Sequence, residues 1–351
     1  MTPTTPRAMG YRMPAEWEPH EATWLAWPHD PITWPDRVAQ VEEIFLDFCE
    51  ALAPHERVEL LVKDENLLAS VPKRLRARGV DEGRVRLHLV PTADSWIRDY
   101  GPIFLTRPGG PEPRLAATDW IFNAWGGKYD ALLPDDDIPQ RVRHLFPAGT
   151  PLFEPGIVME GGSLDVNGAG TVLTTEQCLL NKNRNPKLSR EDIEGYLRDY
   201  LGVSKVLWLG DGIEGDDTDG HVDDITRFVA PRKVVTVIEE DETDANHAPL
   251  AANLARLKEM TDQDGRRLDV ATLPMPDFVG DEEGRLPASY ANFYIANNVV
   301  LAPVFGHDAD AEAVDVLKKL FPTRRIVPIN CEPLVWGFGA IHCVTQQQPK
   351  V

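Results

Sequence analysis

The chain has 351 residues, with 36 Lys and Arg against 56 Asp and Glu, a formal net charge of −20 at pH 7. That surplus of acid excludes nucleic acid as a partner, which requires a basic face, and docking on an anionic membrane surface, while it suits a cationic ligand. A hydrophobic share of 42% and a charged share of 26% are ordinary for a soluble globular chain, and the alternation of hairpins with helices along it suggests α/β or α+β. The N-terminal MTPTTPRAMGYRMPAEW has no apolar leader-like core, no run of 18 apolar residues exists, and the four cysteines (49, 178, 331, 343) are scattered without a CxxC pair. The expectation is a cytoplasmic protein with reduced thiols.

In chain order, HEATWLAWP (20–28) reads as a strand. Residues 36–52 read as a helix, with Asp36 as N-cap and Val41, Ile44, Phe45, Phe48 and Leu52 on one face. Apolar runs at 58–62, 85–90, 172–175, 234–238 and 299–303 read as strands, and Asn167-Gly168 as a hairpin turn. Residues 190–201 follow Ser189, have Asp192 at the capping-box position, and end at Gly202. A helix is expected over 246–260, and another over 309–320 after Asp308, with Val314, Leu317 and Leu320 inward.

A polar strand recurs along the chain. DSWIRDYGP starts at 94, MEGGSLDV at 159, GHVDDITRF at 220, SYANFYIANN at 289 and GAIHCVTQQQP at 339, at intervals of 65, 61, 69 and 50. The spacing suggests a repeated structural unit. The 20–28 strand would complete the last unit and close a ring. No linker divides the chain, so residues 1–351 read as one domain.

Polar positions in such a ring would converge on its axis, which selects Asp99, Glu160, His221, Asp223 and Cys343. His221 and Asp223, two apart on a strand, would share a face. Gly339 would let backbone approach a ligand closely. A thiol, an imidazole and several carboxylates allow Cys–His nucleophilic catalysis. Carboxylates around a nucleophile suit a planar cationic electrophile, because guanidinium pairs with them bidentately. Metal binding competes, since Asp, Glu and His are all ligands. HExxH is absent, however, and adjacent His342 and Cys343 would point to opposite faces of a strand.

These segments, together with DWIFNAWGGKYD (119–130) and GDDTDGHVDD (215–224), resemble the agmatine deiminase family. That family lies among the peptidyl-arginine deiminase-like members of the guanidino-group-modifying superfamily. The resemblance runs the length of the chain. It implies a five-bladed α/β propeller, the pentein fold, with pseudo-fivefold symmetry and no metal or cofactor. It implies hydrolysis of agmatine to N-carbamoylputrescine and ammonia, a step of polyamine and putrescine biosynthesis. Cys343 matches the family's nucleophile, His221 its acid/base, Asp223 and Asp99 its guanidinium ligands, and Glu160 its EGG glutamate. Trp96 and Asp217 are expected at the substrate, although Trp96 and Asp99 would face opposite sides of a regular strand. Tyr100 and Phe338 depart from the family pattern and would reshape the pocket. The implied partner is a small cationic guanidine, with a homodimer admissible. Arginine or peptidyl-arginine deimination stays open, followed by amidino transfer and non-catalytic binding of cationic amines. Cys178 and Cys331 are expected to play no part.

Overall fold

The computed structural model describes residues 4–351 and is a mixed α/β fold. Five sheets repeat one topology: an antiparallel pair whose second strand is joined in parallel by a third. The second sheet holds Ile103–Thr106, Leu115–Thr118 and Leu152–Phe153 in that order, and the third Asp165–Val166, Thr171–Thr175 and Lys205–Leu209. The fourth holds Thr226–Ala230, Lys233–Ile238 and Asp269–Pro274, and the fifth Tyr294–Ile295, Val299–Val304 and Arg325–Asn330. The first sheet joins the two ends of the chain. Gln346–Pro349 runs antiparallel to His20–Ala26, which is followed in parallel by Arg57–Val62 and Val85–Leu89. A small hairpin, Gly280–Asp281 with Gly284–Arg285, stands apart.

Helices fill the crossovers that parallel pairing demands. Val38–Leu52 buries Val41, Ile44, Phe45, Phe48, Cys49 and Leu52, the face its spacing predicts. Arg190–Leu201 carries the expected capping box between Ser189 and Asp192 and stops at left-handed Gly202 (φ 70°). The central strands Lys233–Ile238 and Val299–Val304 are buried almost throughout. They therefore read as continuous apolar runs rather than alternating ones.

Some boundaries differ from expectation. Asp36 sits at φ 57°, and Arg37 occupies the N-cap. The helix expected from Asp308 begins at Asp310, whose carboxylate closes the preceding loop by accepting the N–H groups of Phe305, Gly306 and His307. Its buried face is therefore Ala313 and Leu317, with Val314 and Leu320 half-buried. Glu65–Ala77 is a helix despite Pro72 within it. The largest correction concerns the polar segments, which are not strands. Each is a turn preceding the first strand of a sheet: helical at Ile97–Tyr100, tight at Gly161–Ser163 and Val222–Asp224, and irregular at 289–292 and 341–344. Their polar side chains and carbonyls bond locally, which favours turns over ladders. Ser163 Oγ donates to the Glu160 carbonyl (2.6 Å), and Thr345 Oγ1 to the Ile341 carbonyl (3.0 Å).

Candidate active site

The five turns each deliver a polar side chain to one buried cluster: Asp99, Glu160, His221 with Asp223, Asn292 and Cys343. In a turn, the strand-face rule does not apply. His221 and Asp223 still converge, because one precedes and the other lies inside the tight turn. A methyl placed on Gly162 would lie 2.6 Å from His221 Nδ1, 2.8 Å from Asp99 Oδ1 and 3.1 Å from Asp223 Oδ2. Glycine at 162 therefore lets three polar groups from two other turns meet against its own. Trp96 and Asp99 both reach the cavity because Trp96 is the N-cap of the Ile97–Tyr100 helical turn, so no strand parity separates them.

Asp99 Oδ1 accepts the Gly162 N–H (2.9 Å), and its Oδ2 accepts the indole N–H of Trp125 (2.9 Å). Burial pushes its carboxyl up to about 6; His221 opposes the shift, and Asp223 and Glu160 add to it. Burial alone would push the His221 imidazole down, yet Asp99, Cys178 and Glu160 together hold it well above its ordinary value. His221 Nδ1 lies 3.8 Å from Asp99 Oδ1, while Nε2 is buried without a partner. Glu160 Oε1 accepts from Arg184 Nε at 2.5 Å, and Oε2 is free. The Cys343 thiol lies 3.2 Å from Asn292 Nδ2 and 3.9 Å from Asp223 Oδ2. Burial, then Asp223, Asp224 and Asp99, push it well above the usual thiol value. These directions favour the neutral thiol on Cys343 and the protonated imidazole on His221.

Behind the cluster, His342 does not point away from Cys343's side, as strand geometry would require. Its Nδ1 lies 2.6 Å from Asp223 Oδ2 and its Nε2 2.7 Å from Glu16 Oε2. Burial opposes the charge on Asp223, but the His342 hydrogen bond prevails and holds its carboxyl below the usual range. Asp223 Oδ1 remains unpartnered and buried. Arg227 Nη2 completes the array at 2.9 Å from Glu16 Oε2.

A cavity of about 250 Å³ opens over Cys343, Asp99 and Trp96. Trp125, Tyr129, Asp217 and Phe338 wall it. The Tyr129 hydroxyl donates to Asp217 Oδ2. Phe338 lines the cavity at φ 67°, in the left-handed region that costs a non-glycine residue strain. Tyr100 does not line it: it is buried, with its hydroxyl donating to the Asp94 carbonyl (2.7 Å). Gly339 lies behind the wall, where a methyl would come within 2.5 Å of the Trp96 ring and 3.1 Å of Cys343 Cβ. Asp216 and Asp219 are engaged elsewhere. Asp216 caps the loop by accepting the Gly220 and His221 N–H groups, and Asp219 pairs with Arg184 and Lys128. Arg98 is buried, donating to the His342 carbonyl and to Gln346 and Gln347.

Asn292, Trp125, Glu16 and Cys178 escaped sequence reasoning. Cys178 sits with Glu160 and His221, their ligand atoms within 4.8 Å of one another, so it belongs to the acid/base's surroundings. That trio and a second one, Asp223, Asp224 and Cys343, have donors suited to a metal ion. Each already faces a donor group, Arg184 on Glu160 and His342 on Asp223, which would compete with such an ion.

The fold and site define a class. The chain belongs to the Porphyromonas-type peptidyl-arginine deiminase family, whose model matches residues 12–349. Among curated relatives it is 39% identical over 368 residues to an agmatine deiminase of Stutzerimonas stutzeri strain A1501, covering 99% of this chain and 97% of the relative. It is 40% identical over 368 residues to a putative agmatine deiminase of Lactococcus lactis, covering 99% and 98%. Among solved structures, the agmatine deiminase of Enterococcus faecalis superposes with a TM-score of 0.90 at 36% identity, covering 100% and 99%. A putative arginine deiminase from Porphyromonas gingivalis gives 0.87 at 39%, covering 97% and 98%.

Proposed function

We propose that the protein is an agmatine deiminase, hydrolysing the substrate's guanidinium to N-carbamoylputrescine and ammonia. The observation that carries this choice of substrate is the cavity wall. Asp30, Asp94, Asp130 and Asp217 line it, and among the described residues no Lys or Arg does. A guanidinium with an ammonium tail is matched by such a wall. Arginine would bring an α-carboxylate with no cation to meet it. The likeness to the P. gingivalis protein makes arginine the second reading to test.

The guanidinium enters beside Asp99 and Asp223, whose free Oδ1 is an unfilled acceptor. Its positive charge offsets the carboxylates that hold the Cys343 thiol neutral. The thiol proton leaves to solvent and the thiolate attacks the guanidinium carbon. The protonated His221 gives its proton to one amino group, which departs as ammonia and leaves a thiouronium. Neutral His221 then takes a proton from water, whose hydroxide adds to the same carbon. Collapse expels the thiolate, and the ureido product sheds its extra proton to solvent. Asp99, with Cys178 and Glu160, keeps the His221 imidazole protonated for the first transfer. We read residues 1–351 as one domain, with the five like sheets as propeller blades around the cluster. Their support is the shared topology and the one polar residue or pair that each turn contributes.

The experiment supplies agmatine, arginine and a blocked arginine peptide to the protein and its Cys343→Ala variant, and quantifies ammonia and ureido product. Turnover of agmatine alone, lost in the variant, is the expected result. Turnover of arginine or peptide in preference to agmatine overturns the substrate assignment while leaving the chemistry standing.

A further inference from the structure

A second and wider concavity than the one over Cys343 lies at the other end of the first sheet. The turn bearing the nucleophile leads into Gln346, which pairs with Trp24, whereas Pro349 pairs with His20 at the opposite end. Lys350, the next residue, lines a cavity of about 710 Å³ together with Arg57, Arg84, Arg86 and Arg324. Five cations around one concavity run against the composition of a chain with 36 basic and 56 acidic residues.

The acids facing them are already engaged. Glu56 takes the His20 ring, the Thr23 hydroxyl and the Asn297 N–H. Glu21 and Glu59 hold Arg57, at 2.8 and 2.5 Å. Arg86 has only Glu59 Oε1 at 4.0 Å, an oxygen that Arg57 already occupies. Among the described residues, Arg84 and Lys350 have no carboxylate within ion-pair distance.

Arg324 is the most informative of the five. It is half-buried, and burial pushes its guanidinium down from the ordinary value. Its Nε donates to the Ala296 carbonyl (3.1 Å) and its Nη2 to the Trp17 carbonyl (2.8 Å). Backbone thus fixes the planar fork, yet among the described residues no carboxylate lies within 4.0 Å of it. Glu16 and Glu56 oppose that shift only from beyond ion-pair distance, so a half-buried, oriented guanidinium with no direct carboxylate partner would gain from an anion that reaches it.

We propose that this cavity binds a small phosphate-bearing anion, held by Arg84, Arg86, Arg324 and Lys350. Guanidinium forks match phosphate oxygens bidentately, and Lys adds a point charge. The volume is that of a small-molecule site. An anion there would also relieve repulsion among the cations. The proposal does not depend on the reaction assigned to Cys343, and none of its residues belongs to that site.

The test is calorimetric titration of the full chain with inorganic pyrophosphate at low and high salt. Arms with inorganic phosphate and with ATP distinguish the sources. Saturable one-site binding that weakens with salt is expected, with affinity about tenfold lower in an Arg84→Ala/Arg86→Ala double variant. Arg324→Gln should weaken it comparably. Because Arg324 also ties two backbone carbonyls, the exposed double variant guards against a folding defect. Tighter binding of ATP than of pyrophosphate would assign a nucleotide, and equal or weaker binding the simple anion. Absence of saturable binding by all three probes, or unchanged affinity in the double variant, overturns the proposal. Agmatine turnover by the double variant, without added anion, should match the wild type.

Discussion

Trp125→Phe isolates the electrostatics of substrate capture. The indole N–H is one of two donors to the Asp99 carboxylate, the other being the Gly162 N–H. With its carboxyl at about 6, Asp99 is ionised above that pH and protonated below it. Capture of a cation needs the ionised form, so kcat/KM should fall as pH drops through about 6. A hydrogen bond to a charged group contributes about 1.5–3 kcal/mol, and one pKa unit is about 1.4 kcal/mol. Water entering the space left by the indole recovers part of the loss, leaving a rise of about one unit. The acid limb of kcat/KM should then move to about pH 7, with activity about fivefold lower at pH 6 and near parity above pH 8. The assay is ammonia release at subsaturating agmatine from pH 5 to 9. A lowered plateau with the limb unmoved would refute the reasoning, because the indole would then act by packing alone.

Other predictions concern the same cluster. The folded carboxyl of Asp99, at about 6, lies above its ordinary 3.8, so its ionisation costs stability that accrues as pH rises from about 4 to 6. Asp99→Asn should gain about 2 kcal/mol on wild type between pH 4 and 7 while losing turnover, and urea midpoints at both pH values check it; a gap independent of pH refutes it. Gly162→Ala should cut kcat by about a hundredfold or more with circular dichroism unchanged, since its methyl would press on His221 and Asp99; retained kcat would mean the cluster tolerates expansion. Asp217→Asn should raise KM for agmatine about fivefold with kcat nearly preserved, as expected if its carboxylate meets the ammonium tail; a fall in kcat alone would place it elsewhere in the mechanism.

The fold was legible where burial writes a pattern. The helix at 190–201 announces itself by Ser189, Asp192 and Gly202, and the apolar central strands by length and β-branching. The polar segments were legible as recurring units but not as turns. A short polar stretch ahead of an apolar strand looks the same whether it extends the strand or bonds locally, as Ser163 and Thr345 do. The cluster's Asp99, His221, Asp223 and Cys343 could be picked out by recurrence, and the convergence held although the strand-face argument for it did not. Asn292, Trp125 and Glu16 could not be seen, because each is one residue whose partner lies far along the chain. Glu16 meets His342 across 326 positions. Cys178 reads in the sequence as an ordinary buried thiol, and only its approach to within 4.8 Å of His221 and Glu160 distinguishes it.

The antiparallel pairing of His20–Ala26 with Gln346–Pro349 has a consequence during synthesis. At roughly 5–20 residues per second, the first of these strands waits some 20–60 s for its partner to leave the ribosome. Until then a buried, tryptophan-bearing edge stays open, and the cysteine that follows His342 has not been presented to the acids made before it. The early chain therefore holds a carboxylate cluster without its nucleophile; the turn at 341–344 brings the thiol, and the Gln346–Pro349 strand that follows it directly seals the edge.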